Sequence, residues 1–407
     1  MNTKKLNKIL ADINAQLELK DCLNSSVENV TGLLSTEIVS LMLLNNDSRE
    51  LSIKAARGLD DSIIKRARLR LGEGISGWVA ENRKSLLIKD IKKDKRFNGW
   101  GGKYNNDSLL SVPLIAKDKV IGVINVTNKI SKGILQKSDL NSLEEALPHI
   151  SIAIYKALKY EEAKRLSQLK LDFISVVSHE LRIPLAAIKE SVSLMHERLA
   201  GEINEKQERF LQLSLNNVER ITRLIDGLLD MSKMEVGRFE MKRTLQDICD
   251  VLKQVFDTLK INADSKNIIF KLSAPSQSLD MWFDIDQITR VFMNVIGNAL
   301  KFTQRSGSVD VKLEDLDRFV RVTITDNGPG IAKDDLEKVF DKFYSVIKSG
   351  TTEVKGTGLG LPISKEIVEL HGGNIIAKSE ECQGAKFTIT LPKDMRLVRK
   401  LGLEFPD

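Results

Sequence analysis

The chain predicts a multidomain α+β protein, and three changes of rhythm along it carry that prediction. Up to about residue 150 short β-type runs alternate with glycine turns. From 151 to 236 apolar residues recur every three or four positions, as on a helix face. From 237 to 395 helical and strand patterns alternate around glycine-rich turns, and a short tail, 396–407, follows.

The bulk properties set the frame. The 407 residues accommodate two or three domains at the usual ~100–200 residues each. With 42% apolar and 29% charged residues the chain can build several cores, so disorder is not expected. No apolar run reaches the roughly 18–20 residues needed to cross a bilayer, and "MNTKKLNKILADINAQ" has no continuous apolar signal core, so a cytoplasmic chain without a membrane span is expected. Cys22, Cys249 and Cys382 lie far apart, which argues against disulfides and zinc. The net charge of +6 is thinly spread, and acids interrupt basic clusters such as "KDIKKDKR", so no nucleic-acid partner is expected.

In the first segment, "SLLSVPLIAKDKVIGVINVTNK" (Ser108 to Lys129) sets Val112, Leu114, Val120, Ile121, Val123, Ile124 and Val126 in strand-like runs, with "AKDK" as the hairpin connection. A half-buried antiparallel sheet is expected. Upstream, "LGEGISGWVAENRKSLLIKD" passes from a glycine-rich turn through an amphipathic helix burying Trp78 and Val79, then into a strand. These words in this order resemble a GAF domain. The resemblance implies a GAF-like antiparallel sheet with helices over 1–150, serving as a sensor for a small ligand or protein partner. Bilin-binding members attach their chromophore through cysteine, and residues 30–150 contain none. Trp78, Trp100 and Tyr104 are candidates to line a pocket, with core or loop packing as their alternative use.

From Ser151 the periodicity is helical: a linker over 151–171, then a hairpin over 172–236. Leu166, Leu169, Phe173 and Val176 step by three and four residues. After "AGEINEK" a second helix carries Leu211, Leu215, Val218, Ile221, Ile225 and Leu228 on one side. Two helices on a short loop cannot bury both stripes, whereas a second copy would complete a dimeric four-helix bundle from one hairpin per chain. A homodimer is therefore expected, with a hairpin packed on the other domains as the alternative.

His179 falls beside this stripe, toward solvent. Glu180 on the same turn can hold the proton of one ring nitrogen and leave the other as a nucleophile. Pro184 cannot join the helical ladder and is expected to bend the helix beyond the histidine. At Phe173, Ser178, His179, Glu180, Leu181, Arg182, Pro184 and Leu185, "FISVVSHELRIPL" resembles the phosphoacceptor box of dimerising sensor histidine kinases. The resemblance implies that His179 is phosphorylated, with Glu180 beside it in the catalytic pair. Relatives carry Thr or Asn four residues after the histidine to position water for dephosphorylating the partner. Here that residue is Ile183, so a phosphatase activity is not among the implied properties.

The last segment supplies four separated pieces. In "DQITRVFMNVIGNALKFT" Asn294 and Asn298 lie one helical turn apart, with Lys301 near the next turn. An amide oxygen of Asn298 suits magnesium, and Lys301 suits phosphate charge. In "VTITDNGPGI" a strand ends at Asp326, whose carboxylate can accept from an adenine amino group, and Gly328 and Gly330 allow close backbone approach. "VFDKFY" puts Phe340 and Phe343 on a short helix beside a lid, "SVIKSGTTEVK". In "KGTGLGLPISKEIVELHGG", Gly356, Gly358 and Gly360 lead into a helix whose amino end can meet phosphate oxygens. The lysine of a P-loop is absent, and no acidic ribose partner follows a βαβ unit.

Together the four pieces resemble the Bergerat-type ATP-binding domain of histidine kinases, an α/β sandwich expected over 237–395. That resemblance implies ATP and Mg2+ as cofactors, and adds Phe302, Lys342, Thr357 and Leu359 to the nucleotide-binding set. Hydrolytic ATPases of the chaperone and topoisomerase type share the fold but carry a glutamate base one turn before the magnesium asparagine, where this chain has Asn294. The expected function is autophosphorylation of His179 by ATP, then transfer to an aspartate of a separate response regulator, since no receiver pattern precedes Asp407. The alternatives are a degenerate kinase acting as a signalling scaffold and a hydrolytic ATPase.

Overall fold

A computed structural model describes residues 18–45, 47–91, 93–97, 108–131, 133–344 and 357–394. Trp100, Tyr104, Gly356, the expected lid and the C-terminal tail lie outside the described residues. The chain divides into two compact units, Met1–Leu166 and Ser167–Asp407.

Among its described residues the first unit opens with α1 (Leu19–Leu34) and strands β1 (Thr36–Asn45) and β2 (Glu50–Arg57). Then come α2 (Asp61–Arg66), β3 (Arg68–Arg70), α3 (Gly74–Asn82), β4 (Leu86–Ile88), β5 (Leu109–Ala116) and β6 (Lys119–Lys129). The sheet order is β3-β2-β1-β6-β5-β4, antiparallel throughout. Lys117 and Asp118, with φ of 48° and 60°, form the two-residue connection between β5 and β6, the left-handed pair that matches strand twist in tight hairpins.

The expected half-buried sheet is corrected. β5 is buried along nearly its whole length. One face meets α1 and the first turns of α4 (Lys137–His196) through Leu110, Val112, Leu114, Ile124 and Val126. The other face meets α3 through Leu109 and Val123 against Ile75 and Val79. Val79 is buried as expected, but Trp78 is only partly so, its ring set edge-on to Phe97 at 6.5 Å between centroids.

The second unit begins within α4, which turns at "AGEIN" into α5 (Glu205–Glu235). Asn204 and Gln207 form a reciprocal capping box at the start of α5. Helix α4 continues through Pro184 to His196, so the expected disturbance does not end the helix. The carbonyl of Glu180, left without the proline N–H, belongs to an exposed residue that water can serve.

The rest of the unit is a sandwich of helices on a sheet. Its elements are β7 (Thr244–Asp247), α6 (Ile248–Ser265), β8 (Ile269–Ser273), β9 (Asp280–Phe283), α7 (Ile285–Phe302), β10 (Ser308–Leu316), β11 (Phe319–Asp326), α8 (Gly360–Leu370), β12 (Asn374–Ser379) and β13 (Ala385–Pro392). The main sheet runs β12-β13-β11-β10-β8, with only the β10–β8 pair parallel, and β7 pairs with β9. Ile288, Val291, Phe292, Val295, Ile296 and Ala299 of α7 alternate by three and one, burying one stripe in the core and leaving Asn294 and Asn298 on its flank. Met231 and Met234 of α5 join the same core.

Candidate functional site

His179 stands on the exposed side of α4, its side chain 69% accessible. Nδ1 lies 3.7 Å from Glu180 Oε1, beyond hydrogen-bond distance. Arg182, one turn on, pairs with Asp226 of α5 at 2.8 Å, and Ile183 is exposed.

Asp326 closes β11 and is 7% exposed. Its Oδ1 accepts from the N–H groups of Gly328 at 2.9 Å and Ala385 at 3.2 Å. Both bonds end on one oxygen, which leaves Oδ2 as an acceptor for a ligand donor. Burial pushes the carboxyl above the usual carboxylate range, and the two N–H groups only partly oppose it.

The glycines beside this carboxylate work differently from expectation. A Cβ on Gly330, at φ 67°, would strike the Glu380 carbonyl, and Cys382 N donates to Pro329 O at 3.0 Å. Gly330 thus lets the β12–β13 turn close on the Asp326 loop. A Cβ on Gly358, at φ 68°, would strike the backbone of Phe343, whose N–H donates to Gly358 O at 2.9 Å. A Cβ on Gly328 would meet Asp326 Oδ1 and the Phe302 carbonyl. At these positions the missing side chains let segments of the chain approach one another, and the cradle follows from that closure.

Asn294 and Asn298 flank α7, both partly buried. Asn294 Nδ2 donates to Ser364 Oγ on α8 at 2.8 Å. Lys301 and Phe302 are exposed at the end of α7, with Lys301 Nζ 5.2 Å from the Phe302 ring centroid. Thr357 and Gly360 are partly exposed around the start of α8.

Four expected residues sit differently from expectation. Leu359 is 2% exposed and its side chain packs in the core against Gly227 of α5, so that side chain is not offered to a ligand. Phe340 and Phe343 do not share a helix. Lys338–Phe340 is a single 3₁₀ turn with Phe340 edge-on to Phe387, while Phe343 lies beyond it, exposed and left-handed. Lys342 is ion-paired with Glu235 of α5, whose other oxygen accepts from Lys170 Nζ at 2.9 Å. The Lys342 ammonium, seconded by Lys170, holds the Glu235 carboxyl below its usual range.

Sequence reasoning missed four contributors. Gly384 precedes β13, and a Cβ there would strike the Asp326 carbonyl. Asn327 Oδ1 accepts from Ser308 N at 2.8 Å and holds the loop after β11 to the head of β10. Ser364 is 1% exposed beneath α8. His371 is 3% exposed: Nε2 accepts from Asp284 N at 3.0 Å, while Nδ1 lies 2.8 Å from Ile367 O. A glycine directly before a strand and a polar residue on an apolar helix stripe are the signals that could have found Gly384 and Ser364.

The donor set fits a nucleotide and its metal. Among the described residues no cluster of three or more His, Cys, Asp or Glu side chains could hold a metal alone. An amide oxygen such as that of Asn298, completed by phosphates and water, suits magnesium, which takes few protein ligands. The carboxylate oxygen at Asp326 and the open amino end of α8 suit the base and phosphates respectively.

Three family models match the chain in succession. The family described as "GAF domain" matches residues 16–154, "His Kinase A (phospho-acceptor) domain" matches 169–237, and "Histidine kinase-, DNA gyrase B-, and HSP90-like ATPase" matches 283–395. The chain is 37% identical to the sensor histidine kinase WalK of Bacillus subtilis (strain 168) over 235 residues, 57% of this chain and 38% of that protein. It is 32% identical to the sensor protein kinase WalK of Staphylococcus aureus over 312 residues, 70% of this chain and 74% of that protein. The chain spans about half the length of most curated relatives it matches. A crystal structure of full-length ShkA in complex with AMPPNP aligns with a TM-score of 0.47 at 25% identity, covering 54% of this chain and 45% of that one.

Proposed function

The chain belongs to the sensor histidine kinases, and we propose that it transfers the γ-phosphoryl group of ATP to His179 and then to an aspartate of a separate response regulator. The observation that carries this reading is an accessible imidazole with a carboxylate at its Nδ1 side, on a unit that also holds the Asp326 cradle. A proton kept on Nδ1 leaves the Nε2 lone pair free to attack the γ-phosphorus. The P–Nε2 bond forms as the bond to the β-phosphate bridging oxygen breaks, ADP departs, and the Nδ1 proton passes toward Glu180.

Asp326 Oδ2 accepts from the adenine amino group, and the amino end of α8 with Lys301 takes phosphate charge. Lys342 can join them only by leaving Glu235. Magnesium, held through Asn298, would supply charge neutralisation between the phosphates. With Asn294 in place of a glutamate base, water is poorly activated, which favours protein phosphorylation over hydrolysis. An ATP donor places the reaction in the cytoplasm, and the exposed stripe on α4 supports a homodimer. The first unit takes a small ligand or a protein partner as input.

The test is labelling from γ-labelled ATP. The parent chain is expected to acquire acid-labile label and to pass it to a receiver domain. His179→Gln is expected to abolish labelling while still binding ATP. Persistent label in that variant, or release of all phosphate to solution by the parent, would refute the reading.

A further inference from the structure

Ser379 is the last residue of β12 and stands opposite Ala385, the first of β13. Its hydroxyl is engaged on both sides, and each partner allows it one role only. Ile331 N can only donate, and does so to Ser379 Oγ at 2.8 Å; the Gly384 carbonyl can only accept, and takes the Ser379 hydroxyl at 2.5 Å. That carbonyl shares a peptide group with Ala385 N, which donates to Asp326 Oδ1 at 3.2 Å. Across a trans peptide the C=O and N–H point in opposite directions. A hydroxyl gripping the carbonyl from one side therefore holds the N–H toward Asp326 on the other. The second N–H on Oδ1, from Gly328, lies two residues from Asp326 in the same turn. Ala385, 59 residues away, is the partner that ties the carboxylate to the neighbouring strand. Through Ile331 the same Ser379 oxygen also pins the far end of the Asp326 loop, beyond Gly328 and Gly330.

We propose that Ser379 is a positioning residue for nucleobase specificity: by holding the Gly384–Ala385 peptide and Ile331, it fixes the Asp326 carboxylate so that the pocket favours a purine with an amino group at position 6 over one with an oxo group there. The inference rests on the reading of Asp326 as the acceptor for the adenine amino group and deepens it. An oxo group is itself an acceptor, so a carboxylate oxygen held in front of it repels it. A carboxylate free to turn can back away from the oxo group and accept from the ring N–H beside it. The sugar and triphosphate are the same in both nucleotides, so their contacts do not enter the comparison.

The experiment measures the dissociation constants of ATP and of inosine triphosphate for the full chain with Mg2+, in the parent and in Ser379→Thr, Ser379→Val and Ser379→Ala. Thr keeps the hydroxyl, Val has the shape of Thr without it, and Ala serves if Val does not fold. Thermal unfolding without nucleotide shows which variants are folded. The ratio of the inosine triphosphate constant to the ATP constant is expected to fall about fivefold in Val or Ala, the effect of roughly one neutral hydrogen bond. It is expected to be kept in Thr. A role confined to stability would weaken both nucleotides alike and leave the ratio where it was. An unchanged ratio in folded Ser379→Ala or Ser379→Val, or an equal fall in Thr, overturns the proposal. A parent chain that binds both nucleotides equally, or neither, would instead overturn the reading of Asp326 on which it rests.

Discussion

Asp326 is an ionisable group that the fold keeps at a cost. Burial outweighs its two N–H partners and raises its carboxyl above the ordinary value of about 4. For an acid with a raised folded value, the stabilising contribution is complete below the unfolded value and disappears as pH rises through the folded one. At neutral pH the ionised group therefore opposes folding. Asp326→Asn keeps an oxygen for Gly328 and Ala385 while removing the charge. Its thermal midpoint is expected to exceed that of the parent at pH 7 to 8, with the gap closing as pH falls into the carboxyl range. The same variant offers an NH2 to the adenine amino group, and ATP affinity is expected to drop about tenfold or more. Melting curves across pH, with ATP titrations beside them, check both halves. A lower midpoint at pH 7.5 would count against this account. The place of Asp326 at the end of β11 was legible because an acid followed by glycines after a β-type run is a local pattern. Its sharing of Oδ1 between Gly328 and Ala385, 59 residues away, was not.

Helices α7 and α8 are held in register by a buried histidine. His371 caps the end of α8, its Nε2 accepts from Asp284 N at the start of α7, and Asp284 itself caps α7 through Gln287 N at 3.1 Å. Burial depresses the imidazole below its usual value, with nearby Arg243 acting the same way and the Ile367 carbonyl and Asp284 opposing. A base with a depressed folded value contributes stability that is present above the unfolded value of about 6.5 and lost as pH falls through the folded one. The parent should thus lose stability in unfolding experiments as pH falls below about 6.5. His371→Gln, which retains an acceptor but does not titrate, should show a flatter profile over the same window. Equal slopes would show that other groups dominate. The clasp escaped sequence reading because it joins residues 87 positions apart, and nothing local marks a histidine as neutral and buried. The helices themselves were legible, because α7 needs a periodic apolar stripe and α8 follows glycines.

Across the molecule, the largest unmet physical demand is apolar surface. Leu166, Leu169, Phe173 and Val176 are 54% to 70% exposed on α4. Burying such side chains stabilises by about 1.5–3 kcal/mol each, which a second copy can supply along a continuous seam. Leu169→Glu combined with Phe173→Glu is expected to shift sedimentation from dimer to monomer at micromolar concentration. Nucleotide binding should persist, because the cradle is built from α7, α8 and the end of β11. A monomeric parent would remove the argument. The two-sided burial of the sheet in the first unit belongs to this scale as well. Strand alternation predicted one covered face, and the second covering, by α3, arises from a helix that precedes β5 by more than 25 residues.

The sequence by itself determined the order of the parts, and it nominated His179 and the asparagine and glycine boxes as candidates. Those depend on short-range chemistry: a histidine beside a carboxylate, amides one turn apart, glycines where backbone must turn. Tertiary structure alone decided which of those groups are engaged and with what. Asn294 is hydrogen-bonded to Ser364, Lys342 is drawn to Glu235, Leu359 is spent in the core, and Asp326 is raised by burial. Hydrogen-bond partners and desolvation are set by residues distant in sequence, and only the packed chain brings them within reach.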